Sequence, residues 1–193
     1  GVRNILPKLL PKRIHALLDH VERQCWTEGT EIAVFGGPVN DRFLSLEEGQ
    51  RQSFSPVRKG EYFGPPNAIH YRVEQWCQRW FRIDLPAAAE AEMGRRALHW
   101  DCRGETTVYI DGRPWAGLDV AHGYCMLPDE ETTLWLDCGT YQTAIWLEGK
   151  TPDEHGLRFD GARIRLRNEA AWDAYWDFEV LVRLMKDLTD REG

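Results

Sequence analysis

Few side chains in this sequence are spaced in a way that does chemistry. His99-Trp-Asp101 is the one H-x-D. On a strand its two polar side chains share a face, and as a metal pair they need at least one further ligand. Nothing in the chain identifies that ligand, so a hydrogen-bonded His/Asp pair is the simpler reading. The five cysteines, Cys25, Cys77, Cys102, Cys125 and Cys138, form no CxxC. Cys102, Cys125 and Cys138 could meet as a thiolate site, but their spacing matches no zinc pattern. They read as reduced, mostly buried thiols. Carboxylates are plentiful, with Asp84, Glu105, Asp119, Asp137, Asp160 and the run Asp129-Glu-Glu131 among them. A glycosidase needs two of them about 5–10 Å apart, and the sequence selects no pair. G-x-S-x-G, P-loop, G-x-G-x-x-G and H-E-x-x-H motifs are all missing.

Aromatic residues carry the remaining signal. Nine tryptophans is a heavy load for 193 residues. An exposed Trp or Tyr on a sheet can stack on a sugar ring, but Trp80, Trp100, Trp135 and Trp146 fall within strand patterns and read as core packing. Trp115, in the loop after an Asp-Gly turn, is the best exposed candidate. Asp119, His122 and Tyr124 are polar neighbours in the same loop that could orient a ligand, or pack on another domain.

The elements that position these residues are mostly strands. In Glu105-Thr-Thr-Val-Tyr-Ile-Asp-Gly-Arg-Pro-Trp-Ala-Gly-Leu-Asp119, Val108 and Ile110 alternate with Thr107 and Tyr109. Asp111-Gly112 then supplies a two-residue hairpin turn. Further strands are predicted at 80–85, 97–102, 114–118, 132–137, 142–147 and 162–166, with breaks at Gly94, Gly104, Pro128-Asp129 and Gly139. Another is predicted at 31–35, closed by Gly36-Gly37-Pro38. Residues 38–66 show no clear periodicity and read as a long wrapping connection, with a strand near 53–57 and some hidden element. The connections are too short for crossover helices. The fold expected is therefore mostly β, an antiparallel sandwich of the jelly-roll kind.

Helices are expected at both ends. Ile14, Leu17, Leu18 and Val21 fall on one face of a helix over 11–26, with Pro11 in its first turn. A second helix starts behind Asn168 as N-cap and runs to about 191. Its apolar residues, including Trp172, Trp176, Phe178, Val182 and Met185, cover much of the circumference. A sandwich covers only one face of such a helix, so a second neighbour is expected. The predicted divisions are 1–29 for a helix packed on the sandwich, 30–167 for the sandwich, and 168–193 for a helix leading to a missing catalytic domain. The opening Gly1 and the abrupt stop behind that helix read as a piece cut from a longer protein.

A net charge of −7 argues against a nucleic-acid or anionic-membrane partner. No apolar run approaches the ~20 residues of a membrane span, and the N-terminus lacks a signal-peptide core, so a cytoplasmic location is expected.

Taken together, Trp80-Phe-Arg-Ile-Asp-Leu-Pro86, Ala97-Leu-His-Trp-Asp101, the run from Gly104 to Asp119, and His122-Gly-Tyr-Cys-Met-Leu-Pro128 resemble one family. This is the N-terminal galactose-binding-like jelly roll of family 38 α-mannosidases, of the cytosolic, class II type. The likeness extends to the final helix and covers roughly the last two-thirds of the chain. It implies a parent enzyme that hydrolyses terminal α-mannosides with retention, using zinc and a carboxylate nucleophile. The H-x-H-x-D motif of that catalytic part is absent here, so no catalytic residue and no metal ligand is carried over. The expectation is an inactive, cofactor-free domain acting as scaffold and interface for the catalytic domain of the same chain. Alternatives are a module that binds a mannose-containing saccharide, and an interaction domain that forms a homo-oligomer. Its interface residues would be Trp172, Trp176, Phe178, Val182 and Met185.

Overall fold

The computed structural model describes residues 13–14, 16–17, 20–63, 77–102, 104–119, 122–139 and 157–192. Its strands are β1 (Thr30–Glu31), β2 (Phe35–Asn40), β3 (Ser55–Pro56), β4 (Tyr62–Phe63), β5 (Gln78–Leu85), β6 (Arg96–Asp101), β7 (Glu105–Ile110), β8 (Arg113–Leu118), β9 (Tyr124–Met126), β10 (Thr132–Gly139), β11 (Leu157–Arg158) and β12 (Gly161–Leu166). A short helix, α1 (Leu46–Gln50), lies between β2 and β3, and a long one, α2 (Glu169–Glu192), follows β12.

Pairing is antiparallel in every ladder described. One sheet has six strands in the order β3-β2-β5-β10-β7-β8, a second has four in the order β1-β12-β6-β9, and β11 pairs with β4. The expected antiparallel jelly roll is the fold observed. Alternation drives it: Val108 and Ile110 on β7 and Leu134, Leu136 and Cys138 on β10 are buried, while the residues between them are half-exposed. These side chains meet Leu98 and Trp100 of β6, Cys125, Leu127 and Ala162 in one core. An aromatic group sits at its centre, with Phe81 at 5.1 Å from Trp100 and 5.6 Å from Phe63, and Phe159 at 5.4 Å from Trp100. Each such pair adds about 0.5–1.5 kcal/mol beyond the area it buries.

The Asp-Gly turn forms as read: Asp111 and Gly112 have φ of 51° and 75°, the geometry that lets β7 and β8 twist together. The region before β5 differs from the sequence reading. Extended pairing does not run over 31–35. It stops at Glu31 and resumes at Phe35, and Gly36, Gly37 and Pro38 lie inside β2 instead of ending a strand. A register shift between Gly36 and Val39 accommodates them against β5. The close approach of Arg79 explains one glycine, because a Cβ on Gly36 would fall 2.6 Å from its Nη2. Arg79 is buried, donates from Nε to the Gly37 carbonyl at 2.8 Å, and lies over the rings of Phe63 and Phe81.

The hidden element in 38–66 is α1. Ser45 and Glu48 form a capping box, with Ser45 Oγ accepting from the Glu48 N–H and Glu48 accepting from the Ser45 N–H. This helix covers the outer face of the six-stranded sheet over Trp80, which is 1% exposed. Gly49 permits the contact, since a Cβ there would lie 2.5 Å from the Trp80 indole. Sequence reading missed β4, β9 and β11, which have two or three residues each and too few positions for alternation to register. The strand read at 142–147, and Trp146 with it, lies outside the described residues.

By its contacts the chain divides into two compact units, Thr30–Ile164, which holds the sandwich, and Gly1–Gly29 with Arg165–Gly193. In the second unit residues 20–24 are helical, and Trp26 forms an antiparallel bridge with Arg167. The Thr27 N–H donates to the Leu166 carbonyl and the Asn168 N–H to the Cys25 carbonyl, so the N-terminal segment fixes the start of α2. Asn168 caps that helix through its side-chain oxygen, which accepts from the Ala171 N–H at 3.2 Å.

Candidate functional site

Trp115 lies within β8 rather than in a loop. Val108 pairs with Ala116 and Tyr109 with Pro114, so Trp115 is the extra residue of a bulge. It is 48% exposed, and its Nε1–H donates to the Met126 carbonyl of β9 at 2.8 Å. The indole therefore ties the edge strand of one sheet to the edge strand of the other.

The other three residues of the predicted group separate into two places. Asp119 and His122 bond to each other after β8. The Asp119 carboxylate accepts from the His122 backbone N–H at 2.7 Å, and the Asp119 N–H donates to the His122 carbonyl at 3.1 Å. The His122 ring lies 3.4 Å from the same carboxylate and is largely exposed. Tyr124 stands across from His99 on β6, with rings stacked 5.4 Å apart, and His99 and Asp101 are half-buried on the outward side of that strand. The structure therefore shows no single aromatic-and-polar cluster built from Trp115, Asp119, His122 and Tyr124.

It does bring three carboxylates to one groove that the sequence could not pick out. Glu105, Asp119 and Asp137 line an open depression of about 370 Å³, together with Thr107 and Phe43. Glu105 and Asp137 reach the same side because β7 and β10 pair with Asp137 opposite Thr107 and Gly139 opposite Glu105. Asp137 is half-buried. Burial pushes its carboxyl above the usual range, and a hydrogen bond from Gln78 Nε2 at 2.8 Å opposes that shift. Phe43, 64% exposed, was missed because it lies in a segment without periodicity. Only the strand register reveals these neighbours.

Among the described residues no three His, Cys, Asp or Glu side chains converge on a point that could hold a metal ion. No helix among the described residues is long and apolar enough to cross a membrane.

The final helix presents two apolar faces. Trp172, Tyr175, Phe178 and Val182 are half-buried, and Trp172 packs edge-on against Trp26 at 5.7 Å and against Trp176 at 5.5 Å. Trp176, Val180, Leu184 and Leu188, spaced by four, form an exposed ridge, with Leu181 beside it. Their exposures run from 43% to 60%. The side chain of Met185 lies outside the described residues. A ridge of this kind is costly to leave in water: each large apolar side chain gains about 1.5–3 kcal/mol on full burial.

These features can be set beside known proteins. The family model described as α-mannosidase, jelly roll domain, matches residues 30–145, more than half of the chain and most of the sandwich unit. Among curated proteins, α-mannosidase 2C1 of Mus musculus is 36% identical over 76 residues, which is 39% of this chain. The match spans only 6% of the mouse protein's length. With the sheet order, the Asp111-Gly112 hairpin and the matched span in agreement, this chain belongs to the α-mannosidase jelly roll domain family.

Proposed function

We propose that this chain is a non-catalytic part of a longer, zinc-dependent, retaining α-mannosidase, and that it serves as scaffold and interface for the catalytic part of that enzyme. The exposed ridge Trp176-Val180-Leu184-Leu188 carries this reading. A row of large apolar side chains on a helix that follows the last strand, β12, fits a face covered by a partner. The small share of the mouse relative that this chain matches leaves ample polypeptide to supply one. Zinc and the carboxylate nucleophile belong, in this reading, to the catalytic part. A cytoplasmic location accompanies it, in keeping with five cysteines that form no disulfide.

Two assays test the proposal. The isolated chain is expected to hydrolyse an aryl α-mannoside no faster than a heat-treated control; a faster rate sinks it. In a full-length α-mannosidase carrying this domain, V180D with L184D is expected to abolish soluble, active enzyme. Unchanged activity in that variant assigns the ridge to another role.

A second reading rests on the groove. Phe43 beside Glu105, Asp119 and Asp137 offers a ring face and hydroxyl acceptors, the chemistry that recognises a saccharide such as a mannoside. Calorimetry with mannose and mannobiose decides it, and an absence of heat, with no tryptophan quenching, discards it.

A further inference from the structure

A closely knit polar group lies between the two sheets and has no part in the surfaces described above. Cys102 follows β6 of the four-stranded sheet, and Cys138 lies on β10 of the six-stranded sheet. Their sulfur atoms are 3.0 Å apart, inside the van der Waals contact of two sulfurs. Cys102 is 2% exposed and Cys138 is fully buried. The Thr106 hydroxyl lies 3.2 Å from Cys102 Sγ, and the Trp100 Nε1–H is 3.1 Å from both Cys102 Sγ and Thr106 Oγ1.

We propose that Cys102 and Cys138 are a reversible disulfide site, a pair of thiols placed to be joined across the sandwich by a small hydroperoxide. The register makes the approach inevitable. Cys138 is paired with Thr106 across β10 and β7, and only Arg103, Gly104 and Glu105 separate Cys102 from Thr106. The short link between β6 and β7 therefore delivers Cys102 onto the partner of Thr106.

The surroundings also divide the two thiols by role. Burial pushes Cys102 up, but hydrogen bonds from Cys138, Thr106 and Trp100 outweigh it and bring its pKa below the usual thiol value. Burial first, and then the proximity of Cys102, hold Cys138 well above that value. The Trp100 Nε1–H, donating to Cys102 Sγ at 3.1 Å, stabilises a thiolate at that sulfur, so Cys102 is the attacking sulfur.

The chemistry balances with hydrogen peroxide as oxidant. Cys102 thiolate attacks one peroxide oxygen, an S–O bond forms, the O–O bond breaks, and the departing hydroxide takes a proton to leave as water. Cys138, deprotonated in turn, attacks the Cys102 sulfenic sulfur. The S–S bond forms, the S–O bond breaks, and hydroxide leaves as a second water with the thiol proton. Two thiols are oxidised and one peroxide is reduced to two waters. Hydrogen peroxide is small enough to enter so enclosed a place through local opening of the sandwich, which a bulkier disulfide oxidant is not.

Cys125, in the same core, has no sulfur partner in this group, and Cys25 lies in the other unit. That contrast supplies the controls. The full chain is treated with hydrogen peroxide while folded, its remaining thiols are alkylated after unfolding, and it is digested without reduction. The expected result is one linked peptide pair containing Cys102 and Cys138, lighter by two hydrogens than the separate peptides and released by dithiothreitol. The link is expected to persist in C125S. In C138S a dimedone adduct is expected on Cys102 in its place. The map of the unaltered chain decides the matter even where the serine variants do not fold. Sulfinic acid at either residue without a link, a link to a different cysteine, or two intact thiols at doses that convert the methionines to sulfoxide would each overturn the proposal.

Discussion

The indole Nε1–H of Trp115 donates a 2.8 Å hydrogen bond to the carbonyl oxygen of Met126, joining β8 of the six-stranded sheet to β9 of the four-stranded one. The bulge that makes Trp115 the extra residue of β8 turns this side chain toward the neighbouring sheet edge. Two edges that would otherwise present open backbone are held together there. A tryptophan that reads as a sugar platform is thus already engaged through its polar atom, although half of its surface stays exposed.

Trp115→Phe keeps a ring at the bulge and removes the donor. The Met126 carbonyl can then turn to water, so the cost is expected at the low end for a lost hydrogen bond, about 0.5–1.5 kcal/mol. Urea denaturation of the two proteins measures it. No change in midpoint would show that the contact does not fasten the sandwich edges.

Gly49→Ala tests how tightly α1 sits on the sheet. Alanine favours a helix interior over glycine by about 1 kcal/mol. Its Cβ, however, would lie 2.5 Å from an indole that is 1% exposed and cannot swing away. Overpacking of this kind costs about 1–3 kcal/mol, so net destabilisation is expected in thermal unfolding. A stabilised variant would mean that α1 lifts easily from Trp80.

Asp137 makes a signed pH prediction. Burial raises its folded-state pKa above the unfolded value, so its ionised form destabilises the fold. That penalty is fully present above the folded pKa and disappears as pH falls below the unfolded value, roughly 4. Asp137→Asn retains an oxygen for the Gln78 amide and cannot ionise. The stability advantage of the variant is expected to be greatest at pH 7 and to shrink toward pH 4, as followed by urea titrations at each pH. An advantage that grows on acidification would reverse the assigned sign.

Cys125 is expected to resist alkylation. Burial pushes its thiol up to about 12, and the residue is 8% exposed. At pH 8 roughly one molecule in ten thousand carries the thiolate there, so iodoacetamide should modify it only on the timescale of unfolding. Rapid labelling of Cys125 in the folded chain, read by mass spectrometry, would contradict the burial.

The ridge on α2 should govern association of the isolated chain. Leu184→Asp with Leu188→Asp replaces two side chains that are 56% and 60% exposed. The double variant is expected to keep its stability within about 0.5 kcal/mol, as exposed substitutions do. Any concentration-dependent rise in mass seen by light scattering should disappear with it. A rise that persists would place self-association elsewhere on the molecule.

Much of this protein was legible in its residues, because alternation along a strand is a local property. Val108 and Ile110, or Leu134 and Leu136, announce a buried face without reference to any partner, and Asp111-Gly112 carries its turn in its own backbone preference. The capping box of Ser45 and Glu48 was equally local, and could have revealed α1 inside a stretch that otherwise reads as connection. The ends of β2 were not legible. Glycine and proline normally close a strand, and only the space demanded by Arg79 and the shifted register against β5 hold Gly36, Gly37 and Pro38 inside one.

The sequence alone determined the class of fold, the family likeness and the two-sided apolar helix, since each depends on spacing within a short window. Tertiary structure alone decided which side chains meet. Glu105, Asp119 and Asp137 are far apart in the chain and share a groove, while Cys102 and Cys138 meet across 36 positions. Trp115 and Tyr124, by contrast, read as neighbours and take different partners. The physical reason is that strand register and sheet pairing arise from the packing of the whole sandwich, which no single segment encodes.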